Sequence, residues 1–196
     1  MSGSIIRFFG VVAALVLTVS VPPAQAQPVT SGELVTLKKG QVVVGEVTKV
    51  NNVPSVSAKI LIPEPPDKVW KTVANPTSLM SREAKVKDMK TVASQGNVKD
   101  VEYTVMMSRL LPAFRYTLRH QPAGNNTLSF RRLNGSFKDI NGFWKVVPAD
   151  GGKSSVLIYN LSIDAGPLVP QNLLLPAVQS DLPQMMRNAK AAIQTD

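Results

Sequence analysis

The sequence predicts an α+β fold in which a curved antiparallel sheet of about seven strands wraps around a long C-terminal helix, with two short helices after the first core strand. Three observations carry that prediction. Near the C-terminus, Leu174, Val178, Leu182, Met186, Ala189 and Ile193 recur at steps of four, four, four, three and four, the spacing of one helix face. From Lys85 onward the apolar period drops from four to two, and six strand-like segments follow one another with short turn formers between them. Ahead of them, Pro63-Glu64-Pro65-Pro66-Asp67 places prolines and acids where a first helical turn tolerates them, so a helix begins inside the β pattern.

In chain order, Arg7, an apolar run from Phe8 to Val21, Pro22-Pro23 and the small-residue site Ala24-Gln25-Ala26 read as a secretory signal peptide over 1–26, cleaved after Ala26. An uncleaved anchor is the alternative, but the run is short for a membrane span and Pro-Pro closes it abruptly. Such an address implies an exported, periplasmic or extracellular protein. The sequence holds no cysteine, so disulfides, thiolate metal sites and lipoprotein attachment are excluded. The chain carries a net charge of +9. Its basic residues never run more than two together, which fits a solvated surface, with peripheral contact to an anionic membrane as the sharper reading. No nucleic-acid partner is expected of an exported protein.

Residues 27–35 read as a flexible lead-in and 36–196 as one domain. Gln41–Val50 alternates weakly, as an edge strand does, and Ser55–Ile62 alternates better. Val69, Trp70 and Val73 mark the buried face of the first short helix, which Asn75-Pro76 ends; Thr77–Arg82 adds another turn. The six later strands span 85–93, 98–108, 114–121, 128–134, 142–148 and 154–165, and their short connections require an antiparallel meander. Its concave side is the surface broad enough to bury the terminal helix, a helix-grip arrangement. Prolines at 167, 170, 176 and 183 predict an irregular entry to about Leu175, then a helix from Pro176 to Gln194, bent at Pro183.

Three stretches resemble the START-like superfamily, which includes the polyketide cyclase/dehydrase proteins, the coenzyme Q-binding START proteins and the Bet v 1 allergens. Ile60 through Trp70 looks like the family's first strand entering a helix through a P-x-x-V-W junction. Asn134-Gly135-Ser136-Phe137 with Gly142-Phe143-Trp144 through Pro148 is similar to its late hairpin. Gly166 through Pro170, followed by Leu182 through Arg187, looks like its proline-punctuated entry to the last helix. Asn75-Pro76-Thr77-Ser78-Leu79-Met80 departs from the family's usual aspartate-aromatic pair and F-x-P stretch. The resemblance implies an enclosed cavity between sheet and helix; composition alone reads the same residues as solid core.

Taking the more apolar set of each strand as inward gives the expected cavity lining: Tyr103, Val105 and Met107, then Phe114, Tyr116 and Leu118, then Phe130, Trp144, Tyr159 and Leu161. The helix adds Leu174, Val178, Leu182, Met185 and Met186. Arg109 and Arg115 are the candidate polar anchors. Hydrolytic and metal chemistry lack their parts: the lone His120 reads as structural, no zinc set can form, and Asp139-Ile140-Asn141-Gly142 lacks the later ligands of a calcium loop. No cofactor and no catalytic residue is expected. The favoured reading is an exported domain binding a hydrophobic small molecule such as a lipid or quinone. The alternatives are a cyclase or aromatase holding its substrate through Arg109, Arg115, Tyr103 and Tyr116, as the family implies, and an envelope interaction module without a ligand.

Overall fold

The computed structural model describes residues 28–50, 52–106, 113–124, 126–168 and 170–195. The expected signal peptide lies outside them. Among the described residues, β1 (Val43–Val44), β2 (Thr48–Val50), β3 (Val53–Ile62), β4 (Val86–Gln95), β5 (Val98–Val105), β6 (Phe114–Pro122), β7 (Thr127–Gly135), β8 (Asp139–Ala149) and β9 (Ser154–Asp164) form one antiparallel sheet. Its order is β1-β3-β9-β8-β7-β6-β5-β4, with β2 also paired to β3. The meander is thus β4 to β9, and β3 closes it by pairing with β9 from Ser55↔Ser162 to Ile62↔Ser155. Register shifts between β4 and β5 and between β6 and β7 add the local twist that curls such a sheet. The nine strands exceed the expected seven in part because the first edge segment forms two short strands, β1 and β2.

Two short helices, α2 (Pro66–Val73) and α3 (Pro76–Leu79), interrupt the β pattern where the proline signals place them. Pro66 and Pro76 occupy first-turn positions, where a missing N–H leaves no bond unmade. Val69, Thr72, Val73 and Leu79 are buried, whereas Trp70 is half-buried at the rim of the core.

The terminal helix α4 (Gln171–Thr195) begins five residues earlier than expected and runs through both Pro176 and Pro183. Residues 171–175 of the expected irregular entry are therefore helix, behind a short 3-10 turn at Gly166–Leu168, because proline costs a helix one backbone bond without forbidding it when packing holds the rest. That packing is substantial. Leu174, Leu182, Met186 and Ile193 are each 2% exposed or less, and such burial stabilises by about 1.5–3 kcal/mol apiece. Polar ties fix the helix along its length: Lys85 pairs with Asp181, Asn188 donates to Glu83 (3.3 Å) and Lys190 donates to the Leu61 carbonyl (3.1 Å).

The expected flexible lead-in over 27–35 is corrected by α1 (Ser31–Lys38). Thr30 and Glu33 form a capping box: the Thr30 hydroxyl accepts from the Glu33 N–H (3.2 Å) and Glu33 accepts from the Thr30 N–H (2.8 Å). Leu37 then packs on the outer face of the sheet with Phe143, Val156 and Ile158. Glu33 also receives Lys59 Nζ at 2.7 and 2.9 Å, and the Lys59 side chain is 9% exposed. Burial alone pushes the Glu33 carboxyl up, but the bonds from Lys59 and Thr30 outweigh it and hold the group below its usual range.

Glu33→Gln strands the Lys59 ammonium on that face, whereas Lys59→Met removes the charge and keeps the packing. Urea denaturation is expected to show a loss of about 2 kcal/mol for Glu33→Gln and less than about 1 kcal/mol for Lys59→Met.

Candidate ligand cavity

α4 packs most closely on the β3 side of the sheet, where Ala58 presents a small side chain and the contact is filled. Across β5 to β9 the sheet curls away from it and a cavity of about 130 Å³ remains. Val178 reaches it from α4, Met80 from the end of α3 and Val86 from β4. The sheet contributes Tyr103 and Val105, then Tyr116, Leu118 and His120, then Phe130, Trp144, Tyr159, Leu161 and Ile163; Ile140 and Phe137 close the β7–β8 end. Nine of the expected lining residues therefore meet in one wall: Tyr103, Val105, Tyr116, Leu118, Phe130, Trp144, Tyr159, Leu161 and Val178.

Other expected lining residues do not reach it. Leu174, Leu182 and Met186 are buried in the filled contact between α4 and the sheet, and Met185 is half-buried at its margin. Phe114 is buried but stacks on Phe137 (5.0 Å between ring centres), which stands between it and Tyr116. Arg115 is exposed on the outer face, since strand alternation turns it away when Phe114 and Tyr116 point inward, so it is no anchor for a ligand. Met107 and Arg109 lie outside the described residues.

The wall is a continuous run of rings. Trp144 lies 4.4 Å from Tyr159, Tyr159 5.9 Å from Phe130, and Phe130 5.9 Å from His120. His120 is 6.0 Å from Tyr103, Tyr103 5.7 Å from Tyr116, and Tyr116 5.4 Å from Phe137. Each contact of this kind adds about 0.5–1.5 kcal/mol beyond area burial, so the wall holds its own shape. Gly142 makes room for it: a Cβ there would meet the Asn160 carbonyl oxygen at 2.1 Å and the Phe130 ring at 2.7 Å. That is a physical reason for glycine in the Gly-x-Trp motif.

His120 also lies in this wall, although its chemistry alone reads as structural. It shares parity with Tyr116 and Leu118 on β6, and that signal was available to place it inward. The residue is 4% exposed; its Nε2 lies 3.0 Å from Tyr103 Oη, and its Nδ1 has no hydrogen-bond partner among the described residues. Burial lowers its pKa to about 4, with the Asp100 carboxylate pulling upward and Lys99 pushing downward. Burial raises the Tyr103, Tyr116 and Tyr159 hydroxyls well above the usual phenol range, so the wall is uncharged at neutral pH. The neighbouring charges face outward: Arg119 holds Asp100 through two bonds of 2.8 and 2.7 Å and keeps that carboxyl below its usual range.

A histidine that titrates near 6.5 when unfolded and about 4 when folded binds its proton only in the unfolded chain between those values. Stability should therefore fall as pH drops from about 6.5 to about 4, by on the order of 3 kcal/mol at about 1.4 kcal/mol per unit. Denaturant titrations across that window should show the slope in the native protein and lose it in His120→Phe.

No curated protein matches the sequence. Several solved structures share the fold at low identity. A protein of Thermus thermophilus is 17% identical over 72% of this chain and 98% of its own, with a TM-score of 0.63. A STAR-related lipid transfer protein from Xanthomonas axonopodis is 13% identical, with 79% and 94% covered and a TM-score of 0.61. The Zhui aromatase/cyclase from a Streptomyces species is 14% identical, with 71% and 90% covered and a TM-score of 0.57. The model of the family described as polyketide cyclase / dehydrase and lipid transport matches residues 53–194, from β3 through α4. Strands β3 to β9, the cavity and nearly all of the helix above it fall within that match, and the chain belongs to this family.

Proposed function

We propose that this protein binds an apolar small molecule, a lipid, quinone or similar compound, in the cavity beneath α4, and that it does so after export. The observation that carries the reading is the uncharged cavity wall, apolar except for His120, the three tyrosine hydroxyls and the Trp144 indole N–H. A few polar atoms in an otherwise apolar wall orient a ligand, while the rings and aliphatic groups supply affinity. The similarity to a STAR-related lipid transfer protein supports the same reading. Export rests on the pattern of residues 1–26, and a net charge of +9 suits peripheral contact with an anionic surface.

Size constrains how binding happens. An apolar cavity of roughly 150 Å³ takes one benzene ring, and pockets for larger ligands measure about 300–1,000 Å³. At about 130 Å³ the closed cavity holds one ring or the end of a chain. A larger ligand requires the N-terminal half of α4 to shift. That half carries Val178 over the cavity, and Pro176 and Pro183 each remove one backbone donor from the helix ladder beside it.

A second reading, an aromatase or cyclase that orients a polycyclic substrate, draws support from the Tyr103–His120 pair in the wall. It lacks a cation there, since none of the described arginines lines the cavity.

Native mass spectrometry of the protein purified from its own host is expected to show an adduct of small-molecule mass. Val178→Phe, which fills the cavity from α4, should reduce adduct occupancy about tenfold with the fold intact. A clean unliganded mass, together with no uptake of fluorescent lipid or quinone analogues, overturns the binding reading. N-terminal sequencing of the same preparation is expected to begin at Gln27; a retained Met1 overturns processing.

A further inference from the structure

Among the polar groups of the cavity wall, the Tyr103–His120 pair is the one that holds a buried nitrogen without a partner among the described residues. Tyr103 Oη and His120 Nε2 share a single bond of 3.0 Å, and His120 Nδ1, in a residue more than nine-tenths buried, has no partner among the described residues. A neutral imidazole carries one N–H and one lone-pair nitrogen, and a phenol carries one O–H. The pair therefore owns two protons, and the bond between them uses one. If Tyr103 donates to Nε2, the spare proton sits on Nδ1. If Nε2–H donates to the phenol oxygen, the spare proton sits on Oη and Nδ1 presents a lone pair. Either tautomer leaves one donor without an acceptor in apolar surroundings, an arrangement that native interiors seldom keep unless something else supplies the acceptor.

The complement of one neutral donor is an acceptor oxygen. An ionised ligand group would need a cation beside it, and neither a lysine nor a described arginine lines the cavity. The flanking rings favour a flat body: Tyr103 and Tyr116 lie within 27° of parallel, and Phe130 and Tyr159 within 22°. We propose that the Tyr103–His120 pair is the polar anchor of the cavity, donating a hydrogen bond to the carbonyl oxygen of an uncharged, ring-containing ligand. This deepens the binding reading and rests on it. It selects quinones, aryl ketones and similar carbonyl compounds over plain hydrocarbons and over fatty acids bound as carboxylates.

The test uses two single-ring probes of similar size, acetophenone and cumene, in which a hydrogen and a methyl group of the second take the place of the carbonyl oxygen of the first. His120 is the chain's single histidine, so ring ¹⁵N labelling reports on the anchor alone. Affinities are measured for the whole protein and for the double variant Tyr103→Phe/His120→Phe, which removes both partners and strands neither. The ratio of the two dissociation constants is expected to favour acetophenone about tenfold more in the native protein than in the double variant. Acetophenone, and not cumene, is expected to shift a His120 ring nitrogen. An unchanged ratio, or His120 signals indifferent to acetophenone, overturns the anchor while cumene binding preserves the cavity. A bound water that holds the free donor and survives saturation with acetophenone also overturns it. If neither probe binds the folded native protein, the binding reading falls and the anchor with it. Should the double variant fail to fold, the ¹⁵N response of the native protein decides alone.

Discussion

The pairing of β3 with β9 is the contact on which the rest of the structure depends. It joins residues 55–62 to residues 155–162, strands that the whole of the α2–α3 segment and the β4–β8 meander separate in sequence. Without it the meander is an open ribbon whose concave face has no boundary. With it, the face that receives α4 is continuous from β1 to the far edge. It also places β9 inside the sheet, where it is buried along almost its whole length, with the main core on one face and Leu37 of α1 on the other. Contacts of such separation form late, because loop closure must precede any gain from pairing. Closing the sheet therefore carries a large loop-closure cost.

How the helix sits on that closed sheet decides where matter ends and space begins. Against β3 the side chains meet and fill; over β5 to β9 the curvature leaves them short of one another. The helix contributes one kind of residue throughout, an apolar stripe at regular spacing, yet the stripe is solid core at Leu182 and Met186 and cavity wall at Val178. Difference in distance, not difference in chemistry, separates the two roles.

That is why the fold was more legible than the site. Alternation on β5 to β9 reports inward and outward faces directly, and it placed Tyr103, Tyr116, Phe130, Trp144 and Tyr159 correctly because orientation is a local property of a strand. The gap between sheet and helix is a property of curvature, which no local period encodes, so Leu174, Leu182, Met185 and Met186 could not be told from Val178. His120 was set aside on its chemistry although its parity with Tyr116 and Leu118 turned it inward. α1 escaped notice for the opposite reason: with Leu37 as its one buried residue it has scarcely any apolar period. Its evidence is the Thr30-Ser31-Gly32-Glu33 capping pattern. The start of α4 was displaced because Pro176 reads as a first-turn residue, while Leu174 before it already ties the helix into the core.

Gly142 has a consequence that reaches past its own strand. It does not line the cavity, yet the Phe130 ring that does lies against the space where a side chain at 142 would stand. The depth of the chamber is thus set from beneath its floor. Residues on the wall can be exchanged for smaller or larger ones and the chamber resized to suit a different occupant. Position 142 admits no such exchange, because any added carbon collides with the backbone of β9 before it touches the wall. A lineage diversifying its ligands would vary the rings and keep the floor.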